Sequence, residues 1–402
     1  MRRWLAWSIL TAVFVIARPT EAAIPTCDTL PNPVYLQVGD TQTNFMLLLG
    51  RQLRDNAPNP ITLVFVTNGS CTNVAEMYGT AVSQITATMT YAPSIAEVPS
   101  WNYATDPPLT CTPPAGGVLP DIGNSALFIS SCANITISPP STLAVVAGPI
   151  QGYVLAVPKA SSQTSITYEQ AYFVFGFGMA GMIDPWIDEA EMFIRTVTKS
   201  TLLTWAANIS VPATKWKGVP LASSPLVVSG LQGAANPEAA IGILGDEVYD
   251  ALRSTLTVLA YRAKHQYAAY YPDSTFTSRD KKNIRDGHYT VWSPTFWMYN
   301  LNGDGSPVKP AAKYIVDLIA GNDATPAPNF DMPSVVATVG LVPDCAMGVQ
   351  RAFDGGPLSF YTPPESCVCK YESVVAQTTC NTCSEINPCA SGVCRNGYCE
   401  VQ

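Results

Sequence analysis

Short apolar runs alternate with amphipathic segments along most of the chain, and this alternation predicts its secondary structure. Runs rich in β-branched residues indicate strands, whereas apolar residues at three- and four-residue intervals indicate helices. The predicted strands are residues 34–38, 61–67, 126–130, 143–146, 152–157 and 240–244. The predicted helices are residues 44–53, 73–78, 168–175, 200–208, 246–263 and 314–319. Because strands and helices alternate, we expect an α/β fold with mostly parallel strand pairing.

The first residues have the pattern of a secretory signal peptide. Arg2 and Arg3 precede an apolar run from Trp4 to Ala17, and small residues follow up to Ala23. The run is too short to cross a bilayer, which needs about 20 apolar residues. We therefore predict a signal peptide at residues 1–22 and a secreted mature chain without a membrane span.

The composition disfavours several classes of function. The chain has 402 residues and a formal net charge of −8, with 13% charged and 47% hydrophobic residues. Low charge and high apolar content argue against a disordered chain, and an acidic balance disfavours a nucleic-acid partner. The two histidines leave little room for histidine-based metal sites. We predict no metal site and no cofactor.

The cysteines predict disulfide bonds. All twelve lie beyond the predicted signal peptide, and an even number in a secreted chain favours disulfides. A zinc site is the alternative for Cys380 and Cys383, but no histidine is near and three further cysteines follow. The sequence does not determine the pairing. Residues 345–402 hold eight cysteines, which predicts a small disulfide-rich C-terminal module.

Three turns between predicted strands and helices carry hydroxyl side chains. The first N–H groups of a helix have no partner within the helix and favour an anion, although serine and threonine are also ordinary helix caps. Three such turns in one chain, one of them preceded by Arg195, favour a cleft that binds an oxyanion. The turns are residues 39–43, 68–72 and 195–201.

The order of these turns resembles the phosphate-binding proteins of ABC transporters, in particular a secreted bacterial branch with a cysteine-rich end. Further similar segments are residues 119–126, 157–164, 240–244 and 271–289. The resemblance covers roughly residues 33–343 and implies a type II periplasmic-binding fold, in which two α/β lobes close on a ligand. The implied division is lobe 1 at 27–155, lobe 2 at 156–245, a return to lobe 1 at 246–343, and the cysteine-rich tail at 345–402.

The resemblance also implies an oxyanion site between helix N-termini. The positions that correspond to ligand contacts are Thr41, Gly69, Ser70, Ser125, Arg195, Ser200 and Thr201. Asp40 stands where the family has one of two paired hydroxyls, and Lys199 begins a segment that departs from the family's Ser-Gly-Thr. Ala126 replaces an aspartate that accepts a proton from protonated phosphate. Asp40 could take over as that acceptor, or its charge could repel the anion.

The function implied by the resemblance is the capture of phosphate or a similar small oxyanion by a monomeric, non-catalytic solute-binding protein. Its location would be the periplasm or the cell exterior of a bacterium, and an ABC permease would be a candidate partner. A different small ligand is one alternative. Another is an extracellular interaction protein that keeps the lobes as a degenerate scaffold and uses the tail for contacts. A secreted hydrolase is less favoured, since the sequence shows no nucleophile elbow or paired carboxylates.

Overall fold

The secondary structure follows the apolar runs closely. The computed structural model of the chain describes residues 24–56, 59–133, 135, 138–376 and 378–400, and the predicted signal peptide lies outside them. The strands are β1 (Pro33–Gly39), β2 (Thr62–Asn68), β3 (Met89–Tyr91), β4 (Leu109–Cys111), β5 (Ile122–Ser125), β6 (Leu143–Pro158), β7 (Ser165–Thr167), β8 (Met192–Arg195), β9 (Val219–Leu221), β10 (Ile241–Gly245), β11 (Leu256–Val258), β12 (Ala260–Arg262), β13 (Trp292–Asn300), β14 (Val349–Gln350), β15 (Ser359–Phe360), β16 (Val393–Arg395) and β17 (Tyr398–Glu400). The helices are α1 (Thr43–Arg54), α2 (Ser70–Met77), α3 (Tyr168–Phe177), α4 (Ser200–Ile209), α5 (Ser224–Gln232), α6 (Asp246–Ala251), α7 (Lys282–Arg285), α8 (Pro310–Ala320), α9 (Met332–Thr338) and α10 (Val368–Val375). Among the described residues, no helix is both long and apolar enough to span a bilayer.

Two lobes share one 11-stranded sheet. The strand order is β4-β3-β2-β1-β5-β13-β6-β10-β8-β9, with β11 also paired to β6. Lobe 1 contains β1–β5 with α1, α2, α8 and α9, and lobe 2 contains β8–β10 with α3–α6. The return to lobe 1 therefore does not begin at 246 as predicted, because Tyr249 of α6 packs in the same cluster as Val227 of α5 and Leu244 of β10. The neighbouring strands β6 and β13 join them, because β13 pairs with β5 of lobe 1 and the second half of β6 pairs with β10 of lobe 2. The predicted two-lobed α/β fold is confirmed.

Strand pairing is mixed, so the expectation of mostly parallel pairing holds only at the centre of each lobe. There β1 is parallel to β2 and β5, and β8 is parallel to β9 and β10. The connecting strands β6 and β13 are antiparallel to their neighbours, and so are the edge strands β3 and β4. Because parallel strands of a lobe end at one edge of the sheet, the turns that follow β1, β2 and β8 come together at the boundary between the lobes.

Each lobe has an extensive apolar core. In lobe 1, alternate residues of β1 pack between α1 and α8, and the buried side chains include Val34, Leu36, Phe45, Leu49, Ile315 and Ile319. In lobe 2, one face of the sheet packs against α3 and α4 and the other against α5. These cores hold the strands rigidly, so the strand ends present the polar turns in fixed positions.

Residues 143–158 form one strand, whereas the sequence predicts two. The interruption predicted between 146 and 152 reflects Gly148 and Pro149, residues that weaken a regular strand. The structure accommodates both in a β-bulge, since the pairing with β13 shifts register between Pro294 and Phe296. A single strand of 16 residues therefore belongs to both lobes.

Two further predicted elements are wrong. Residues 126–130 are not a strand, because the N–H of Ala126 donates to Ser70 Oγ and the chain turns toward the disulfide between Cys71 and Cys132. The helix predicted over 246–263 ends at Ala251 as α6, and β11 and β12 follow. There tertiary pairing overrides the helical pattern, because β11 adds to β6 and β12 adds to β7.

All twelve cysteines form disulfides, as the sequence predicts. Two bonds lie in lobe 1, Cys27–Cys111 and Cys71–Cys132. The other four are Cys345–Cys367, Cys369–Cys380, Cys383–Cys394 and Cys389–Cys399. The cysteine-rich tail is docked on the lobes: Tyr371 is fully buried in the lobe 2 core, and Glu372 pairs with Arg285 at 3.1 Å.

Glu400 fastens the end of the tail to α10. It is 1% exposed, and its carboxylate accepts from the N–H groups of Cys369 and Lys370 at 3.0 and 2.9 Å. These are unpaired N–H groups of the first turn of α10, and hydrogen bonds to a charged partner contribute about 1.5–3 kcal/mol. The carboxylate therefore ties the β16–β17 hairpin to the body of the protein.

We predict that Glu400→Gln accelerates proteolysis of the tail roughly tenfold, because weaker capping of α10 allows the hairpin to open locally more often. Limited proteolysis under non-reducing conditions would measure the rate. The exposed Glu385→Gln is the control and should digest like the wild type. Equal rates for both variants would contradict the capping role of Glu400.

Candidate functional site

The polar turns meet where the two lobes face each other. Gly39 at the end of β1 is paired with Asn68 at the end of β2, so Asp40 and Ser70 leave the sheet at the same edge of lobe 1. In lobe 2, β8 ends at Arg195, and α4 begins at Ser200. The contacts described below link these segments across the boundary between the lobes.

Asp40 of lobe 1 forms a buried ion pair with Arg195 of lobe 2. Arg195 Nη2 lies 3.0 Å from Oδ1 and 2.9 Å from Oδ2 of Asp40. The same carboxylate accepts from the N–H and the hydroxyl of Ser224 at 2.8 and 2.9 Å, and Lys199 Nζ lies 3.6 Å away. The Arg195 side chain is fully buried and that of Asp40 is 13% exposed.

Every nitrogen of the Arg195 guanidinium has a partner in this conformation. Nη1 donates to Ser224 Oγ at 2.7 Å, Nε donates to the Leu221 carbonyl at 3.2 Å, and Nη2 also donates to the Ala222 carbonyl at 3.1 Å. Arg195 is thus held rigidly by lobe 2 and neutralised by lobe 1.

Asp40 remains ionised at neutral pH. Burial by itself would raise the pKa of its carboxyl group, but the charge and hydrogen bond of Arg195 oppose that effect, together with Lys199 and the Ser224 N–H. The balance lowers the pKa of Asp40 below its ordinary value. The stabilisation from this ion pair is therefore present at neutral pH and is lost only as the pH falls through the lowered pKa.

A second contact between the lobes lies at the start of α2. The N–H of Cys71 donates to the carbonyl of Thr198 at 3.3 Å. A β-carbon added to Gly69 would lie 2.6 Å from Thr198 Oγ1 and 2.7 Å from its carbonyl oxygen. Only glycine allows this approach, and its backbone angles are ordinary, so the requirement is steric.

The other predicted contact residues lie at the same boundary and differ in how they are paired. Ser70 Oγ accepts from the N–H of Ala126 at 3.1 Å, and Ser125 Oγ donates to the Leu127 carbonyl at 2.9 Å. Ser200 and Thr201 occupy the first turn of α4 and are buried. The hydroxyls of Thr41 and Thr201 are buried and have no hydrogen-bond partner among the described residues.

Solved structures of similar architecture include solute-binding proteins. A candidate phosphate ABC transporter substrate-binding protein from Clostridium perfringens, solved with bound phosphate, is 13% identical with a TM-score of 0.51, covering 78% of this chain and 99% of that chain. An ABC-type phosphate transport receptor from Vibrio cholerae is 12% identical with a TM-score of 0.46, covering 77% and 99%. PstS from Borrelia burgdorferi is 11% identical with a TM-score of 0.38, covering 78% and 98%.

The likeness shows the fold. At such low identity the first structure supports the architecture and not the ligand, and the TM-scores of the other two are too low to add to it. No protein-family model and no curated protein matches the chain in sequence. The function must therefore be argued from the site itself.

A buried polar chain runs beside the ion pair. Gln42 Nε2 donates to Gln151 Oε1 at 2.8 Å, and Gln151 Nε2 donates to the carboxyl group of Glu247. Burial raises the pKa of Glu247 to about 8 even though Gln151 lowers it, and the negative charges of Asp246 and Asp40 raise it further. Glu247 is therefore largely protonated at neutral pH.

The sequence did not identify Ser224 or Glu247 as site residues. Ser224 had a detectable signal, because Ser223, Ser224 and Pro225 form a typical helix start before an apolar run. Glu247 follows the buried strand β10, where the sequence predicts the beginning of a helix, but nothing local indicates that its carboxyl group is buried.

We predict that Gly69→Ala destabilises the protein by about 1–3 kcal/mol, the usual cost of overpacking. The new methyl group would collide with Thr198 and force the lobes apart. Gly303→Ala is the matched control, since a β-carbon there meets no atom of the described residues within 4 Å. Thermal unfolding of both variants measures the difference, and equal melting temperatures would show that the lobes are not in this contact.

We predict that the melting temperature falls as the pH rises from about 5 to 8. Glu247 has an ordinary pKa of 4.5 and a folded-state pKa of about 8, so unfolding increasingly releases its proton across this interval. Glu247→Gln should reduce the slope. Part of it should remain, because burial also raises the pKa of Asp246 to about 7. The exposed Glu169→Gln should leave the slope unchanged, and an identical slope in all three proteins would refute the role of Glu247.

Proposed function

We propose that this protein is a secreted, non-catalytic solute-binding protein that captures phosphate or a similar small oxyanion between its lobes. The observation that carries the proposal is the pair of buried hydroxyls on Thr41 and Thr201, which have no hydrogen-bond partner in the described part of the chain. They belong to opposite lobes and are 3% and 1% exposed. Buried hydroxyls are normally hydrogen-bonded, and an oxyanion would accept from both.

Helix N-termini would supply further donors for the anion. The first-turn N–H groups of α4, including that of Thr201, have no partner within the helix, and the helix dipole favours negative charge there. Gly69 and Ser70 place the start of α2 at the same boundary from lobe 1. We propose Thr41, Gly69, Ser70, Ser200 and Thr201 as direct contacts.

Ser125 and Arg195 would act differently from the others. Ser125 directs its proton to the Leu127 carbonyl, so it offers the ligand only an acceptor. Arg195 supplies fixed positive charge while its nitrogens stay bound to Asp40, Ser224 and lobe 2 carbonyls. Its contribution would therefore be electrostatic in this conformation.

Asp40 is the proposed acceptor for a protonated oxyanion. Its lowered pKa keeps the carboxylate ionised. Oδ1 accepts from Arg195 and has Lys199 Nζ at 3.6 Å, whereas Oδ2 accepts from Arg195 and from both the N–H and the hydroxyl of Ser224. A ligand that carries a proton could donate it to Oδ1. A fully ionised anion such as sulfate could not, and would be repelled.

Secretion and the partner belong to the same proposal. Six disulfides fit an oxidising compartment, and the Clostridium perfringens protein of similar fold is described as part of a phosphate ABC transporter. We accordingly propose the periplasm or the cell exterior as the location, a monomer as the working form, and an ABC permease as the candidate partner.

The second candidate function is an extracellular interaction protein built on a degenerate binding scaffold. The observation in its favour is that Asp40 already neutralises Arg195, so the lobes can close with no solute between them. In that case the docked cysteine-rich tail would make the functional contacts.

Calorimetry with phosphate, arsenate and sulfate distinguishes the two candidates. We expect heat from phosphate and arsenate, little from sulfate, and about tenfold weaker phosphate binding by Thr201→Val, because the variant lacks one hydrogen bond. Ligand-free Thr201→Val should be at least as stable as the wild type, because the lost hydroxyl has no partner among the residues that the structure describes. Thr80→Val is the control, since the Thr80 hydroxyl lies on the surface and donates to the Ala75 carbonyl. Absence of heat from every oxyanion would refute the binding proposal and favour the scaffold.

A further inference from the structure

The structure assigns a carboxylate-binding site to lobe 2, formed by Arg195, Lys199 and Ser224, and we propose that Asp40 of lobe 1 is its built-in ligand. This contact closes the lobes without a solute. The inference goes beyond the proposed function, because it holds whether or not the cleft also binds an oxyanion.

The donors of this site are those that recognise a free carboxylate. Arg195 contributes a buried guanidinium, and Ser224 contributes both its hydroxyl and its N–H. That N–H belongs to the first turn of α5, a helix of nine residues. Lys199 adds a second positive charge at 3.6 Å. A guanidinium group, a hydroxyl and a helix N-terminus together bind a carboxylate more strongly than any one of these groups alone.

The occupant of the site comes from the other lobe. Asp40 is 155 residues from Arg195 and 184 residues from Ser224 in the sequence, and it follows β1 in lobe 1. The ion pair is nearly excluded from solvent, so it is screened much less than a surface pair. Opening the lobes would separate two buried charges and expose both.

The packing around α4 agrees with closure by the protein itself. Leu203 of α4 packs against a lobe 1 cluster that includes Val74 and Leu127. Residues 354–355, which follow the last helix of lobe 1, contact both lobes. Asp354 accepts from Ser131 Oγ of lobe 1 at 2.6 Å, and a β-carbon on Gly355 would lie 2.9 Å from the Ala207 carbonyl of α4 in lobe 2. These direct contacts leave closure independent of any solute.

Closure of this kind affects how a solute would bind. A solute enters only while the lobes are apart, so the apparent affinity falls by the fraction of molecules that are open. Breaking the Asp40 contact should therefore enlarge that fraction. Asp40 then sets the threshold concentration at which the protein responds.

Chemical rescue by small carboxylates tests the proposal. Asp40→Ala removes one carboxylate group, and free formate is the same group with a hydrogen in place of Cβ. Asp40→Gly removes Cβ as well, so acetate should fit. We expect both variants to melt below the wild type, formate to raise the melting temperature of Asp40→Ala saturably, and acetate to do so only for Asp40→Gly. Chloride at equal ionic strength should have no such effect.

Controls and a second measurement keep the test decisive. Wild type and Glu169→Ala should show no rescue, since the ion pair of Glu169 with Arg262 is exposed and involves neither Asp40 nor Arg195. Small-angle X-ray scattering of solute-free protein should give a larger radius of gyration for Asp40→Ala than for wild type, restored by formate. If Asp40→Ala does not fold, Asp40→Asn has a side chain of the same shape without the charge and should show the same increase in radius of gyration.

The proposal is overturned if formate and acetate have no more effect than chloride and the radius of gyration of the folded variants equals that of wild type. Calorimetry with phosphate on the wild type, which keeps Asp40 as the proposed acceptor, separates this result from failure of the proposed function. Loss of rescue with phosphate binding intact would reject only the built-in ligand, whereas rescue without phosphate heat would reject only oxyanion capture.

Discussion

The arrangement of the two lobes depends on one requirement: a fully buried guanidinium needs an anion beside it. Moving an arginine out of water costs several kcal/mol, and the cost is recovered only when its charge and its N–H groups are all satisfied. Lobe 2 supplies neutral acceptors to Arg195, but in this conformation the compensating carboxylate comes from Asp40 of lobe 1. The relative position of the two lobes therefore depends on which anion lies beside Arg195.

Much of the fold could be predicted from the sequence, because local patterns determine it. The apolar runs located β1, β2 and β10, and helical periodicity located α3 and α4. The count and placement of the cysteines indicated disulfides, while their pairing needed the structure. The errors occurred where tertiary pairing decides the outcome: Gly148 and Pro149 suggest a break in β6, and only the bulge opposite Thr295 explains why the strand continues.

The site was predictable in part for the same reason. Hydroxyl-bearing turns and Arg195 stand out locally, and the structure places them at one boundary. The pairing of Asp40 with Arg195 and Ser224 was not predictable, because these partners lie in the other lobe and no local pattern links residues so far apart. The acidic composition is also no obstacle to an anion site, since the donors act at short range while distant surface charges are screened within about 8 Å at physiological salt.

The place of β13 beside β5 has a consequence for the order in which the chain folds during synthesis. Lobe 1 needs β13, which is synthesised after all of lobe 2, so the sheet around β5 cannot be completed until residue 300 has emerged. Such non-local pairing is slow. Meanwhile Cys27, Cys71, Cys111 and Cys132 are all close enough in sequence to pair within the early segment. Two covalent bonds can thus hold the early part of lobe 1 together until β13, its last central strand, has been synthesised.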